Sequence, residues 1–213
     1  MAVNSKGREI TSIWTPANVV TCVRIVFIPV FMVVSELSFT DGDALNSFYG
    51  IGNAYCAITA FVLYALLSLT DKVDGNLARS RGEVTDFGKF LDPIADKLLV
   101  FSALLILLEH GFVNVWFVFI IMFREFLVSA LRMVASANGE VIAADKLGKW
   151  KTATTMVSLC GYLLYIAARS LTVQSGIAFL LLISQILMFV AVILTVVSGT
   201  QYFWNARKIV FRV

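Results

Sequence analysis

Residues 71–96 read DKVDGNLARSRGEVTDFGKFLDPIAD, and this stretch carries two pairs of carboxylates on either side of a short polar connection. Asp71 and Asp74 form the first pair, and Asp92 and Asp96 form the second. Residues three or four positions apart on a helix project from one face, about one turn from each other. Each pair therefore predicts a two-pronged oxygen ligand on one helix face.

The connection 80–83, Ser-Arg-Gly-Glu, is typical of a chain reversal, because glycine tolerates the positive φ of a turn or a helix C-cap. The sequence predicts two antiparallel helices, the first continuing through Arg79 and the second starting near Thr85 or Asp86. Such a pair brings the four carboxylates together. Their mutual repulsion favours neutralisation by cations.

Carboxylates without a nearby cysteine or histidine are hard ligands, which favour Mg²⁺, Mn²⁺ or Ca²⁺ over zinc. We expect one or two divalent ions, with Mg²⁺ or Mn²⁺ as the cofactor. Gly75, Ala78 and Gly88 lie on or beside the carboxylate faces and leave room for a pyrophosphate-bearing ligand to approach the backbone. The alternative is a solvated hairpin neutralised by its own lysines and arginines, with small residues that serve helix packing.

Apolar stretches surround this segment and dominate the chain. Hydrophobic residues make up 59% of the sequence, and the mean hydropathy is +0.86, far above ordinary soluble proteins. Most of the stretches approach the ~20 residues that span a bilayer. They cover 19–35, 49–70, 97–109, 113–135, 152–168 and 176–200. The sequence predicts an all-α, polytopic membrane protein with six transmembrane helices, of which helices 2 and 3 extend into the cytoplasm.

Lysines and arginines are distributed unevenly among the connections. They precede helix 1, fill the connection between helices 2 and 3, follow helix 4 and close the chain, whereas the opposite loops nearly lack them. This asymmetry predicts cytoplasmic termini and a site on the cytoplasmic side of the inner or plasma membrane. It also accounts for the net charge of +3. Without a dense basic run or a basic-aromatic patch, we expect membrane lipids as neighbours and no nucleic acid.

We expect one domain over 1–213, made of three parts. Residues 1–18 are predicted to form an interfacial segment, with Trp14 at head-group depth. Residues 19–204 are predicted to form the six-helix core, and 205–213 a basic cytoplasmic tail. Asn18 is predicted to cap the first spanning helix. No small-residue cleavage site follows the first apolar stretch, so a retained anchor is favoured over a signal peptide.

Helix 1 carries a polar stripe, because Asn18, Thr21 and Arg24 recur every three residues. Arg24 lies inside an apolar segment, where two interpretations are open. Its long side chain can snorkel to the surface. Alternatively, it reaches a polar site shared with residues 71–96, since an intramembrane charge is by default a functional hypothesis.

The carboxylate segment resembles the signature of the CDP-alcohol phosphotransferase family. The pattern Asp-x2-Asp-Gly-x2-Ala-Arg-x8-Gly-x3-Asp-x3-Asp is matched at all eight fixed positions, Asp71, Asp74, Gly75, Ala78, Arg79, Gly88, Asp92 and Asp96. Within the family, the chain is most similar to phosphatidylglycerophosphate synthases. That likeness rests on Arg124-Glu125, on Ser129-Ala-Leu-Arg132 and on Gly148-Lys149-Trp-Lys151-Thr152.

The resemblance implies displacement of CMP from CDP-diacylglycerol by the hydroxyl of glycerol 3-phosphate, in a homodimer. It assigns metal binding to the four carboxylates and the role of general base to Asp96. CDP-diacylglycerol binding is assigned to Asn18, Thr21, Arg24, Gly75, Ala78, Arg79 and Gly88.

The acceptor's phosphate requires cations, and we expect them in a basic pocket opposite the carboxylates, formed by Arg124, Arg132, Lys149 and Lys151. Arg124 lies well inside an apolar helix. A buried pair with Glu125 is the alternative, but adjacent helical residues point about 100° apart, so a direct pair is not expected.

Other functions remain open at this stage. The same chemistry can use another acceptor, such as inositol phosphate, serine or phosphatidylglycerol. An ion-coupled transporter also carries intramembrane charges, but the carboxylates here cluster near one surface and the halves show no inverted repeat. A non-catalytic scaffold has no need for four aligned acids.

Overall fold

A computed structural model of the chain describes residues 15–39, 53–81, 86–137, 146–171 and 176–210, with the helical backbone alone for 71–81. The described secondary structure is entirely helical, as the sequence predicts. Its six helices are α1 Pro16–Leu37, α2 Asn53–Arg81, α3 Asp86–Glu109, α4 Val115–Ala137, α5 Lys146–Ser170 and α6 Ile177–Val210.

Helix α1 begins earlier than predicted, and Asn18 is not its N-cap. Thr15 occupies that position in an extended conformation, and its hydroxyl accepts a hydrogen bond from the Asn18 backbone N–H at 3.4 Å. Proline favours the first helical turn because its φ is suitable and its missing N–H has no intrahelical acceptor there. Pro16 therefore starts α1. The predicted interfacial segment up to Trp14 lies outside the described residues.

The end of α2 and the start of α3 lie within two residues of their predicted positions. Helix α2 continues through Arg81, just past Arg79, and α3 begins at Asp86. The reversal was predicted at 80–83, but Ser80 and Arg81 still belong to α2, and 82–83 lie outside the described residues. At the other end of the chain, α6 runs to Val210 and so includes part of the segment predicted as a tail.

Among the described residues, three helices are long and apolar enough to cross a membrane. These spans are Asn18–Leu37, Asn53–Thr70 and Ile177–Arg207. Their outward side chains are apolar, as expected for a lipid-facing surface; Val26 is 66% exposed and Phe179 is 67% exposed. Helices α3 and α4 contain charged side chains, and α5 has several hydroxyl-bearing residues near its start. The chain is thus a helical membrane protein, and the count of six spans remains a prediction.

The chain divides into two compact units, of which the first comprises 1–106 and 166–172. Within it, α1 packs along α2. Phe31 and Tyr64 are both fully buried, and their ring centroids lie 5.6 Å apart. Ala57 and Ala60 are also buried on α2. Small residues of this kind let helices approach closely where lipid provides no hydrophobic driving force.

The second unit comprises 107–165 and 173–213. Within it, α4 packs along α6 through a core of Val128, Leu131, Tyr202 and Ala206. Helix α5 is joined to α6 by a hydrogen bond, since the Ser158 hydroxyl donates to the Ser184 carbonyl at 2.8 Å.

We expect Phe31→Ala to destabilise the protein by about 3–5 kcal/mol, because the ring leaves a cavity against Tyr64. Phe27, one turn earlier, is 41% exposed and provides a matched control. Its alanine variant should stay within about 0.5 kcal/mol of the parent. Thermal unfolding in detergent measures both, and equal losses would contradict this packing of α1 on α2.

Candidate active site

Two side chains of α1 hold the two carboxylates of α3 in the first unit. The Thr21 hydroxyl donates to Asp92 Oδ1 at 2.7 Å, and Arg24 Nη1 donates to Asp96 Oδ1 at 2.9 Å. Thr21 and Arg24 are three residues apart on α1, and the carboxylates are four apart on α3. Stripes at these spacings can meet at two successive turns. Arg24 thus reaches the carboxylate segment instead of snorkelling.

Burial explains why Arg24 needs this partner. Its side chain is 2% exposed, and a guanidinium removed from water is costly unless a carboxylate compensates it. Asp96 provides that charge, while its own side chain keeps 40% of its surface exposed. Asp92 is exposed as well. The carboxylates are therefore oriented from the protein side and accessible from the other.

The remaining predicted residues of this site are only partly described. Asn18 is buried one turn before Thr21, and Gly88 is buried one turn before Asp92. The side chains of Asp71, Asp74, Ala78 and Arg79, and the surroundings of Gly75, lie outside the described residues.

The donor chemistry of α3 suits a hard divalent cation, because two oriented carboxylates lie one turn apart and remain accessible. Within the described part of the chain, no group of three or more acidic, histidine or cysteine residues converges. The side chains of Asp71 and Asp74 lie outside that part. The four-carboxylate metal site thus remains a prediction, and Asp92 and Asp96 fit it.

In the second unit, Arg124 pairs with Glu125, contrary to prediction. Arg124 Nη1 donates to Glu125 Oε1 at 3.0 Å, and Lys151 of α5 donates to the same oxygen. The helical offset separates neighbouring Cβ atoms, but the long stem of arginine bends back across it. Arg124 Nη2 also donates to Ser198 Oγ of α6 at 3.2 Å. One carboxylate therefore serves two cations from different helices.

The structure brings together only part of the predicted basic pocket. Arg124 and Lys151 meet at Glu125, with 12% and 6% of their side chains exposed. Arg132, also on α4, is exposed; its Nε donates to the Tyr202 hydroxyl at 3.2 Å, and its guanidinium lies 5.6 Å from that ring's centroid. Lys149 is exposed near the start of α5.

Sequence reasoning missed Glu125 as a shared partner and gave no role to Ser198. The signal for Glu125 was its position inside an apolar helix, where an acidic side chain needs a cation. Ser198 carries no such signal, because a serine in a membrane helix commonly bonds to its own backbone.

The hydrogen bond from Thr21 should matter to ion binding. We expect Thr21→Val, which removes the donor without changing the shape, to raise the Mn²⁺ concentration giving half-maximal thermal stabilisation about 10- to 100-fold. Thr21→Ser retains the hydroxyl and serves as control. Equal Mn²⁺ dependence in the valine and serine variants would contradict a role for this contact.

Comparison with known proteins places the chain among enzymes of lipid chemistry. The family model for CDP-alcohol phosphatidyltransferase matches residues 14–197. The CDP-diacylglycerol–glycerol-3-phosphate 3-phosphatidyltransferase of Bacillus subtilis (strain 168) is 40% identical over 194 residues, which cover 90% of this chain and 96% of that one.

Two further relatives carry names for the same kind of enzyme. A probable phosphatidylglycerophosphate synthase of Mycobacterium tuberculosis (strain H37Rv) is 35% identical over 193 residues, covering 90% of this chain and 81% of its own. A CDP-diacylglycerol–glycerol-3-phosphate 3-phosphatidyltransferase of Rickettsia felis is 34% identical over 191 residues, covering 90% and 94%. With the signature, the helical fold and these matches together, the chain belongs to the CDP-alcohol phosphatidyltransferase family of membrane enzymes.

Proposed function

We propose that this enzyme transfers the phosphatidyl group of CDP-diacylglycerol to sn-glycerol 3-phosphate, giving phosphatidylglycerophosphate and CMP in anionic phospholipid biosynthesis. The observation that carries the proposal is the 40% identity, over 90% of the chain, to a relative named for this reaction. The oriented carboxylates of α3 supply the functional groups that such a transfer needs.

The reaction forms one P–O bond and breaks another. The acceptor's hydroxyl oxygen attacks the phosphorus of the phosphatidyl group, the bond to CMP breaks, and the hydroxyl proton passes to a base. Transfers of this kind depend mainly on positioning and on neutralising negative charge. The protein must therefore orient two anionic substrates and accept one proton.

Asp71, Asp74, Asp92 and Asp96 are the residues that would hold one or two Mg²⁺ or Mn²⁺ ions, and Asp96 is the proposed base. Bound ions would neutralise the pyrophosphate and stabilise the departing oxygen. The contacts from α1 support these roles, because a base or ligand works only in a defined orientation. Arg24 restrains Asp96 through one carboxylate oxygen.

Around CDP-diacylglycerol we place the polar stripe of α1 and the small or basic residues of the carboxylate helices. This set is Asn18, Thr21, Arg24, Gly75, Ala78, Arg79 and Gly88. The burial of the stripe supports a role shared with the carboxylates, since polar residues buried between helices require partners. Arg79 can complement the pyrophosphate through two parallel hydrogen bonds.

Arg124, Arg132, Lys149 and Lys151 are proposed to hold the acceptor's phosphate. The sharing of Glu125 by Arg124 and Lys151 supports a phosphate site, because the contact brings two cationic side chains together. A phosphate dianion can accept hydrogen bonds from both cations. Arginine also presents a planar fork that matches phosphate oxygens.

The arrangement in the membrane follows from charge asymmetry. We place both termini and the active site at the cytoplasmic face. The two soluble products, CMP and protons, are released on that side. We also expect a homodimer. The uneven distribution of lysines and arginines supports this orientation.

The direct test is CMP release by the purified protein in detergent, with CDP-diacylglycerol, Mg²⁺ or Mn²⁺, and one acceptor per reaction. Glycerol 3-phosphate, inositol phosphate, serine and phosphatidylglycerol are compared. Release confined to glycerol 3-phosphate and abolished by chelator is expected. Release with a different acceptor would contradict the specificity, and no release by folded protein would favour an ion-coupled transporter.

Separate substitutions test the acceptor's phosphate site. Arg124→Ala should raise the KM for glycerol 3-phosphate roughly 10- to 100-fold, because a buried charged donor is lost. Lys149→Ala should raise it about two- to fivefold, since Lys149 is exposed. Neither should change the KM for CDP-diacylglycerol. Arg169→Ala, an exposed arginine outside the proposed site, is the control, and a selective rise in the CDP-diacylglycerol KM would contradict the assignment.

A further inference from the structure

The guanidinium of Arg124 is held by neighbours that the reaction itself does not require. Glu125 accepts from Nη1 at 3.0 Å, and Ser198 accepts from Nη2 at 3.2 Å. These contacts come from two helices, because Glu125 belongs to α4 and Ser198 to α6. Two of the three nitrogens are thereby fixed in direction.

The stem of Arg124 passes against the backbone of α6 at Gly199. A Cβ added at Gly199 would lie 3.0 Å from Arg124 Cγ, closer than the ~3.5–4.0 Å of ordinary carbon contacts. The missing side chain therefore determines where the stem of Arg124 can lie. Gly148 differs, since its added Cβ would lie 3.5 Å from Nη2, an ordinary contact.

The remaining nitrogen of Arg124, Nε, and the charges around it indicate which kind of ligand binds there. Among the described residues, Arg124 Nε is buried and has no hydrogen-bond partner. Buried donors in proteins are normally paired. Lys151 and Arg124 both donate to the carboxylate of Glu125, so two cationic side chains meet there. A buried donor of Arg124 that has no partner, beside these two cations, suits an anionic ligand.

We propose that Glu125, Ser198 and Gly199 are positioning residues that hold the Arg124 guanidinium ready for the acceptor's phosphate. This inference rests on the proposed function and adds three residues to it. Arginine has a long and flexible stem, and ordering it before the ligand arrives removes that cost from binding. None of the three residues needs to touch the acceptor.

Glu125 has two opposing effects in this arrangement. Its carboxylate repels a phosphate, and it also fixes the two cations that attract the phosphate. A variant that lacks the charge of Glu125 therefore shows whether repulsion or positioning controls the binding of the acceptor. If charge dominates, the acceptor binds more tightly without it; if positioning dominates, the acceptor binds more weakly.

Paired glycine variants test the position of the stem. Gly199→Ala should raise the KM for glycerol 3-phosphate about tenfold, because a displaced Arg124 side chain must then be ordered again when the acceptor binds. The KM for CDP-diacylglycerol should not change. Gly148→Ala, with an ordinary contact to the same arginine, should stay within about twofold. Both changes replace glycine by alanine within a helix, where alanine has the higher helix propensity.

An unchanged acceptor KM in Gly199→Ala would overturn its positioning role. Equal rises in both glycine variants, or equal rises in the KM of both substrates, would do the same, because they would indicate a general packing effect.

Glu125→Gln is the second test, since glutamine keeps the size and removes the charge. We expect the acceptor KM to rise about tenfold, with no change in the KM for CDP-diacylglycerol. A lower acceptor KM would show that Glu125 acts by charge alone and would overturn its positioning role. Ser198→Ala should raise the acceptor KM by about threefold, because one hydrogen bond to Arg124 is lost. An unchanged acceptor KM would show that Ser198 does not position Arg124.

The parent protein separates failure of this inference from failure of the proposed function. If the parent releases no CMP with glycerol 3-phosphate, the function is wrong and this inference falls with it. If the parent is active and the variants retain its acceptor KM, the function stands and the positioning role is wrong.

Discussion

The ion pair between Arg24 and Asp96 connects α1 to α3 at the carboxylates of the candidate site. A guanidinium that is 2% exposed requires a counter-charge, and α3 supplies it at 2.9 Å. The hydrogen bond from Thr21 to Asp92 adds a second contact one turn away. Two contacts at successive turns fix the register of α1 against α3. They also orient the carboxylates that the proposed transfer uses.

The second unit also contains an arginine of an apolar helix paired with a carboxylate, but the two groups have different proposed roles there. Arg124 also lies inside an apolar helix, but its carboxylate is the next residue and is shared with Lys151. In the first unit the carboxylate of Asp96 is the proposed ligand-binding group, and Arg24 is its support. In the second unit the arginine is the proposed ligand-binding group and Glu125 is its support. The arginine is therefore the supporting group in the first unit and the proposed binding group in the second.

The sequence was sufficient for features that depend on local spacing. The start of α3 at Asp86 followed from the carboxylate spacing and the preceding glycine, and the stripe at Asn18, Thr21 and Arg24 followed from helical periodicity. Family membership followed from the fixed pattern of residues 71–96. These features are encoded within one or two turns of helix.

Features that depend on side-chain reach or tertiary packing were missed. Thr15, and not Asn18, caps α1, because Pro16 fits the first helical turn. The pair of Arg124 and Glu125 was judged from Cβ directions, whereas arginine is long enough to bend back. Ser198 lies 74 residues from Arg124, and no periodicity within α6 indicates which helix it faces.

The central claim is that the carboxylates held by α1 carry out the transfer, with Asp96 as the base. The most direct measurement is the rate of CMP release by Asp96→Asn, together with its thermal stabilisation by Mn²⁺. The account predicts a rate lower by about 10²- to 10⁴-fold, with Mn²⁺ stabilisation largely retained. Turnover at the parental rate with intact Mn²⁺ stabilisation would contradict it.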